Sequence, residues 1–221
     1  MTMKRKTQRT AKPSKLSISL IRQEMKDVSY LSDDLVITTI DSSNYYTVME
    51  KPVSIDGFVA IVMMTGEATV SVNLNDYHLK PNDMAIFSPD YIIDLKEYSE
   101  DAMAYVLAFS RAFVNEIQID LSTTLPVYMR FGKDPVLPVT PKDVSEVRQV
   151  FQLIKTLLRS DKVRYRHEMI RSLFTTAFYL ITELNQRERP SARTKGRGEV
   201  IFEEFSNLLQ QYNKQERNVG F

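Results

Sequence analysis

The side chains able to do covalent or acid–base chemistry are few in this chain, and they are scattered. Cysteine is absent, which removes disulfides, thiolate metal sites and cysteine nucleophiles together. Of the two histidines, His78 falls in Tyr77-His78-Leu79-Lys80, an alternating stretch that turns it to solvent or to a pocket rim. A first-row metal site wants three or four converging ligands, and His78 brings none with it. His167 lies in Arg164-Tyr165-Arg166-His167-Glu168, the charged start of a helix, where a solvated face is the expectation. The adjacent carboxylates Asp33-Asp34 and Glu203-Glu204 sit in polar or helix-surface contexts that keep them wet. There is no glycine-rich phosphate loop, nucleophile elbow or metal-binding His-Glu spacing. The residues therefore predict no catalytic set, no metal and no cofactor. What the strands do carry is large and apolar: Tyr45, Tyr46, Phe58, Met63, Met64, Met84 and Phe87. Aromatic and methionine side chains suit an adaptable pocket for a small molecule. The competing reading is that they simply fill a core.

The elements that must position them are short strands. From Phe58 to Ile93 the chain reads as four or five strands, with Val70, Val72 and Leu74 set against Thr69, Ser71 and Asn73 in a period of two. Turn chemistry at Thr65-Gly66-Glu67, Asn75-Asp76 and Pro81-Asn82-Asp83 sets their lengths. Leu35 to Ile40 and Asn44 to Met49 form a first pair around Asp41-Ser42-Ser43. Tyr91 to Glu97 and Met103 to Phe109 bring the count to about eight, which predicts a small antiparallel barrel or jelly roll with room for side chains or one small ligand. Ser110 caps a short helix to Ile117, and Pro126, Pro135 and Pro138 mark a loop leaving the barrel.

From Thr140 the apolar period lengthens to about three and a half. Thr140-Pro141-Lys142-Asp143 supplies an N-cap, a proline at the first helical position and an early carboxylate. Val144, Val147, Phe151, Ile154 and Leu158 then mark one face. A second helix, roughly Lys162 to Arg189 and ended by Pro190, carries the stripe Ile170, Leu173, Ala177, Leu180 and Leu184 beside a second stripe of Phe174, Phe178 and Ile181. A surface helix usually buries a single face of about 100°. Two stripes therefore point either to packing wholly within one chain or to self-association as a two-fold dimer, and the homodimer is the expectation adopted.

Charge and composition bound the rest. The 221 residues carry Lys+Arg 29 against Asp+Glu 28, so the whole chain makes no electrostatic case for nucleic acid or an anionic membrane. Basic residues cluster before Leu16 and again from Arg187 to Arg197. Pro190 to Gly198 has the composition of a linker. The longest apolar run, Phe58 to Met64, is far short of a membrane span of roughly 18 residues. The basic amino terminus lacks the apolar region of a secretory signal, so a cytoplasmic protein without membrane contact is expected. Beyond the linker Ile201, Phe205, Leu208 and Tyr212 step at helical spacing.

The segment Gly66 to Ile93, GEATVSVNLNDYHLKPNDMAIFSPDYII, is followed by paired helices, then by Val200 to Leu209 (VIFEEFSNLL) and Arg217 to Phe221 (RNVGF). In this order they resemble the AraC/XylS family of transcriptional regulators, most closely the versions common in Bacteroidales. The resemblance implies an α+β protein in which a cupin-like β-barrel precedes an antiparallel helical dimerisation hairpin and a DNA-binding domain with two helix-turn-helix units. On that reading residues 1–20 are a basic flexible tail, 21–138 the sensing barrel, 139–190 the dimerisation helices and 191–198 a linker. Residues 199–221 are then the start of a truncated DNA-binding domain. The implied function is effector sensing and dimerisation, with a sugar or metabolite as effector and DNA met through the missing carboxyl-terminal part. Metal-dependent cupin enzymes need a His-x-His pair after the central glycine. This chain has Thr69, Val70, Ser71 and Val72 there, which disfavours the alternative of a small cupin-type enzyme. A purely structural dimerisation module is the remaining alternative.

Overall fold

The computed structural model describes residues 3–5, 13–25, 27–41, 43, 51–117, 119, 121–160 and 162–187. They form three layers: two six-stranded sheets face to face, with helices on the back of the second. The first sheet has the order β2 (Ser14–Leu16), β5 (Val53–Ile55), β10 (Ile92–Ser99), β7 (Ala68–Val72) and β8 (Asn75–Leu79), with β1 (Met3–Arg5) also paired to β10. The second runs β12 (Val136–Pro138), β9 (Asp83–Phe87), β6 (Phe58–Thr65), β11 (Met103–Phe109), β4 (Leu35–Asp41) and β3 (Ser29–Leu31). All pairings are antiparallel except β2 with β5. No hydrogen-bonded seam joins the two sheets among the described residues, so the expected barrel is a jelly-roll sandwich rather than a closed cylinder.

The second sheet is buried on both faces, and its sequence shows why. In β6, Val59, Ile61 and Met63 point into the core between the sheets, while Phe58, Ala60, Val62 and Met64 point to the helices. In β11, Ala104, Val106 and Ala108 face inward and Leu107 and Phe109 outward. A strand covered on both sides must be apolar at every position, which is what FVAIVMM and MAYVLAF are. The first sheet keeps a wet outer face, where Lys96 pairs with Asp94 at 2.7 Å.

Five described helices complete the chain: α1 (Ile18–Glu24), α2 (Arg111–Ile117), α3 (Leu121–Lys133), α4 (Pro141–Leu158) and α5 (Arg166–Arg187). Ser110 Oγ accepts the Phe113 amide at 3.0 Å and starts α2. α4 begins with a full capping box: Thr140 Oγ1 accepts the Asp143 amide and Asp143 accepts the Thr140 amide. α4 and α5 pack along each other over the second sheet, with α3 at its β9 side. Phe174 on α5 sets its ring edge-on to Phe109 and Phe113, with centroids 4.7 and 5.1 Å away. Such aromatic pairs add about 0.5–1.5 kcal/mol to their area burial.

Four sequence expectations change here. Leu74 is not on a strand: Asn73 and Leu74 both have positive φ, 48° and 74°, and form the two-residue turn between Val72 and its partner Asn75. The turn was expected at Asn75-Asp76, because a leucine in this conformation is rare. Pro126 lies inside α3 rather than in a loop, and Pro138 ends the edge strand β12. Val127 and Phe131, buried four residues apart, hold α3 on the sheet, and an edge strand tolerates a missing donor. The flexible tail expected over residues 1–20 includes β2 and the start of α1, because Leu16 and Ile18 are buried in the inter-sheet core. α1 comes so close that a Cβ on Gly57 would sit 2.9 Å from Ile18 Cδ1 and 2.6 Å from the Phe109 carbonyl oxygen. The second helix of the hairpin begins at Arg166, later than the expected Lys162, and is described as far as Arg187. The Asn44–Met49 strand, the linker and everything from residue 188 lie outside the described residues.

Candidate functional site

At one end of the sandwich the two sheets part around a cavity of about 80 Å³. The second sheet contributes Ile40, Asp41, Ile61, Met63, Met103, Ala104 and Val106. The first contributes Ala68, Val70, Leu79, Ile93, Leu95 and Tyr98, and Ala102 joins the wall from the β10–β11 turn. The space exists for local reasons. Both register shifts of the central pairings, at Leu95/Glu97 and at Met103/Ala104, fall among the lining residues, and a bulge bends and twists a strand away from its neighbour's plane. Alanines at 68, 102 and 104 leave room that larger side chains would fill.

The rim is held by two turns clasped together. The Glu67 amide donates to Ser99 Oγ at 2.9 Å, the Ser99 amide returns to the Glu67 carbonyl at 2.9 Å, and Thr65 Oγ1 donates to the Asp101 carbonyl at 2.7 Å. Gly66, with φ 65°, makes this approach possible. A Cβ there would stand 2.3 Å from Ser99 Oγ and 2.6 Å from Ala102 Cα. The cavity wall itself is hydrocarbon. Among the described residues Asp41 is the one acidic residue of the lining, and its Oδ1 accepts from the Ser43 amide at 2.8 Å and from Ser43 Oγ at 2.5 Å.

Of the residues picked from sequence for a pocket, Met63 lines this cavity. Phe87 belongs to the same inter-sheet core but lies off the lining. Phe58, Met64 and Met84 project from the opposite face of the second sheet, under the helices; Phe58 stacks on Phe109 at 5.2 Å and meets Tyr128 edge-on at 6.2 Å. Tyr45 and Tyr46 lie outside the described residues. The residues passed over, Ile61, Val70, Leu79, Ile93 and Val106 among them, are plain aliphatics. Only the clean alternation around Val70 marked any of them as inward.

The interface expected on α5 also divides. Ile170, Phe174, Ala177 and Leu184 are buried within the protomer, against the second sheet and α4. That corrects their assignment to a subunit contact, since these side chains are already spent on the chain's own core. Leu173, Phe178, Leu180 and Ile181 are half-buried, and Met169 and Tyr179 beside them are exposed.

Away from the cavity the charged groups act as pins. Asp143, kept below the ordinary carboxylate value chiefly by the Thr140 hydroxyl, then by the Thr140 amide and Arg187, joins the start of α4 to α5 through Arg187 Nη1 at 3.1 Å. Asp34 is lowered by the hydroxyls of Ser32 and Ser110, at 2.6 and 2.7 Å. Asp27 is lowered by Lys155 and Arg159, which tie the end of α4 to the edge of the second sheet. His78 Nε2 lies 3.3 Å from Glu67 Oε2 and its Nδ1 3.3 Å from Thr69 Oγ1, exposed on the outer sheet. His167 meets Glu116 at 3.1 Å. No group of three His, Cys, Asp or Glu side chains that could hold a metal occurs among the described residues.

The family profile described as the AraC-like ligand binding domain matches residues 37–175. No curated protein sequence matches. Among solved structures, apo ToxT K231A from Vibrio cholerae strain SCE256 superposes with TM-score 0.42 at 16% identity, covering 68% of this chain and 56% of that one. The AraC-like transcriptional activator CuxR gives TM-score 0.42 at 12% identity, covering 73% and 52%. Unsaturated fatty acid bound ToxT from the same Vibrio strain gives 0.39 at 14%, covering 72% and 56%. The chain thus spans about half the length of these regulators.

Proposed function

Because this chain belongs to the family of AraC-like ligand-binding domains, we propose that it is the effector-sensing part of a transcription regulator, working as a homodimer in the cytoplasm. The observation that carries this reading is the family match over residues 37–175, within which lies an apolar cavity set between two sheets. The effector is a small molecule held in that cavity, and no step of bond making is assigned to the domain. Residues 199–221, with their resemblance to the opening of an AraC/XylS DNA-binding domain of the Bacteroidales type, lead into the part that reads DNA.

Dimerisation falls to the outer surface of α5. Leu180 is half-buried and Met169 and Tyr179 are exposed there, while Leu173, Phe178 and Ile181 pack at the margin of the protomer's own core and stay half-buried, which leaves apolar surface that one protomer does not cover. Two readers on one dimer meet half-sites at a fixed spacing, so an effector that changes how the helices pack changes affinity for DNA.

Light scattering on the eluting 221-residue chain at tens of micromolar tests the first half of the proposal, with a dimer expected and a monomer counting against it. A thermal-melt screen across sugars and metabolites tests the second. A raised and saturable midpoint is expected, whereas a library with no hit favours a purely structural dimerisation module.

A further inference from the structure

We infer that the cavity between the sheets selects an uncharged, hydrocarbon-like molecule of about three or four carbons, and rejects carboxylates and amines of the same length; this rests on the sensing role proposed above. The size follows from comparison. An engineered cavity of roughly 150 Å³ in a small protein takes benzene and xenon, and the space here is about 80 Å³. A larger guest has to displace Met63 or Met103, the two flexible side chains in the wall.

The charge preference follows from what the wall lacks. Among the described residues its lining contains no lysine, arginine or histidine, and the one carboxylate there, Asp41, is engaged by Ser43. An ionised head drawn between the sheets would lose its hydration and meet aliphatic carbon, a loss far larger than the gain from burying a short chain. Tyr98, the other polar residue of the wall, is itself buried at 3% exposure. Backbone pairing brings Lys4 alongside Tyr98 and Arg5 alongside Glu97, the basic residues that register sets beside the β10 end of the rim, which makes an anionic ligand the decisive comparison.

The test uses the 221-residue chain with methyl-labelled isoleucine, valine and methionine. Xenon, 1-butanol, butyrate and butylammonium are titrated while the methyl resonances of Ile61, Met63, Val70 and Val106 are followed. Xenon and 1-butanol are expected to give saturable shifts at these methyls and to compete with each other, with butyrate and butylammonium binding at least tenfold more weakly. Ala104→Leu, which fills the space, should abolish the shifts; the competition between xenon and 1-butanol places the site even if that variant folds poorly. Butyrate or butylammonium binding as tightly as 1-butanol overturns this inference and leaves the sensing role standing. Shifts confined to methyls outside the cavity overturn it as well. A chain that responds to none of the four probes overturns the inference, and the sensing role then stands or falls on the metabolite screen.

Discussion

Two backbone positions with positive φ have opposite consequences. Gly66 is confined by its neighbours as well as by its conformation, so Gly66→Ala should destabilise the chain by about 2 kcal/mol or more, read as a lower denaturant midpoint with an unchanged slope. Leu74 has no such neighbours. It is 96% exposed at φ 74°, in a turn that prefers glycine or asparagine, and Leu74→Gly should leave the fold intact and stabilise it by a few tenths to about 1 kcal/mol. Asp143 makes a pH-dependent contribution. Its folded-state value lies below the ordinary 3.8, so the stability it adds is complete above that pH and is lost as pH falls through it toward the lowered value. Asp143→Ala should cost about 1 kcal/mol at neutral pH through the lost capping box. The gap to the wild-type chain should close in acid, which parallel urea titrations at pH 7 and pH 3 would measure.

At the scale of elements, legibility followed locality. The start of α4 was readable from Thr140 to Asp143, and the start of α2 from Ser110, because a cap is settled within four residues. The faces of β6 and β11 were not readable. An unbroken apolar run carries no period to say which side meets which layer, and so Phe58, Met64 and Met84 were grouped with Met63 although they lie across the sheet from it. The same limit applied to α5, where two apolar stripes were visible but the choice between a sheet and a second subunit was not. The structure divides them by exposure, and this yields a paired prediction. Leu180→Asp should give a folded monomer by light scattering, whereas Phe174→Asp, buried among Phe109 and Phe113, should unfold the protomer. A folded dimer of Leu180→Asp would remove this face of α5 from the interface.

Over the whole molecule the two hydrophobic cores share one sheet, and neither is complete without it. Unfolding should therefore be a single cooperative transition. Val70→Ala in the inter-sheet core and Phe174→Ala under the helices are expected to lower the same melting midpoint, by about 1 and about 3–5 kcal/mol in stability. A calorimetric trace with two separate peaks would show instead that the helical layer melts on its own. The architecture was legible in outline, since short strands followed by paired helices fit few arrangements. The cavity was not, because it depends on two register shifts and three alanines that no periodicity announces.

β6 is a party wall. Its odd-numbered side chains from Val59 to Met63 look onto the space between the sheets, and its even-numbered ones from Phe58 to Met64 onto the helices. A guest that nudges Ile61 by a fraction of an ångström must also move Ala60 and Val62 behind it, because a close-packed strand has no slack to absorb the push. The tenant in one room is felt by the furniture in the next.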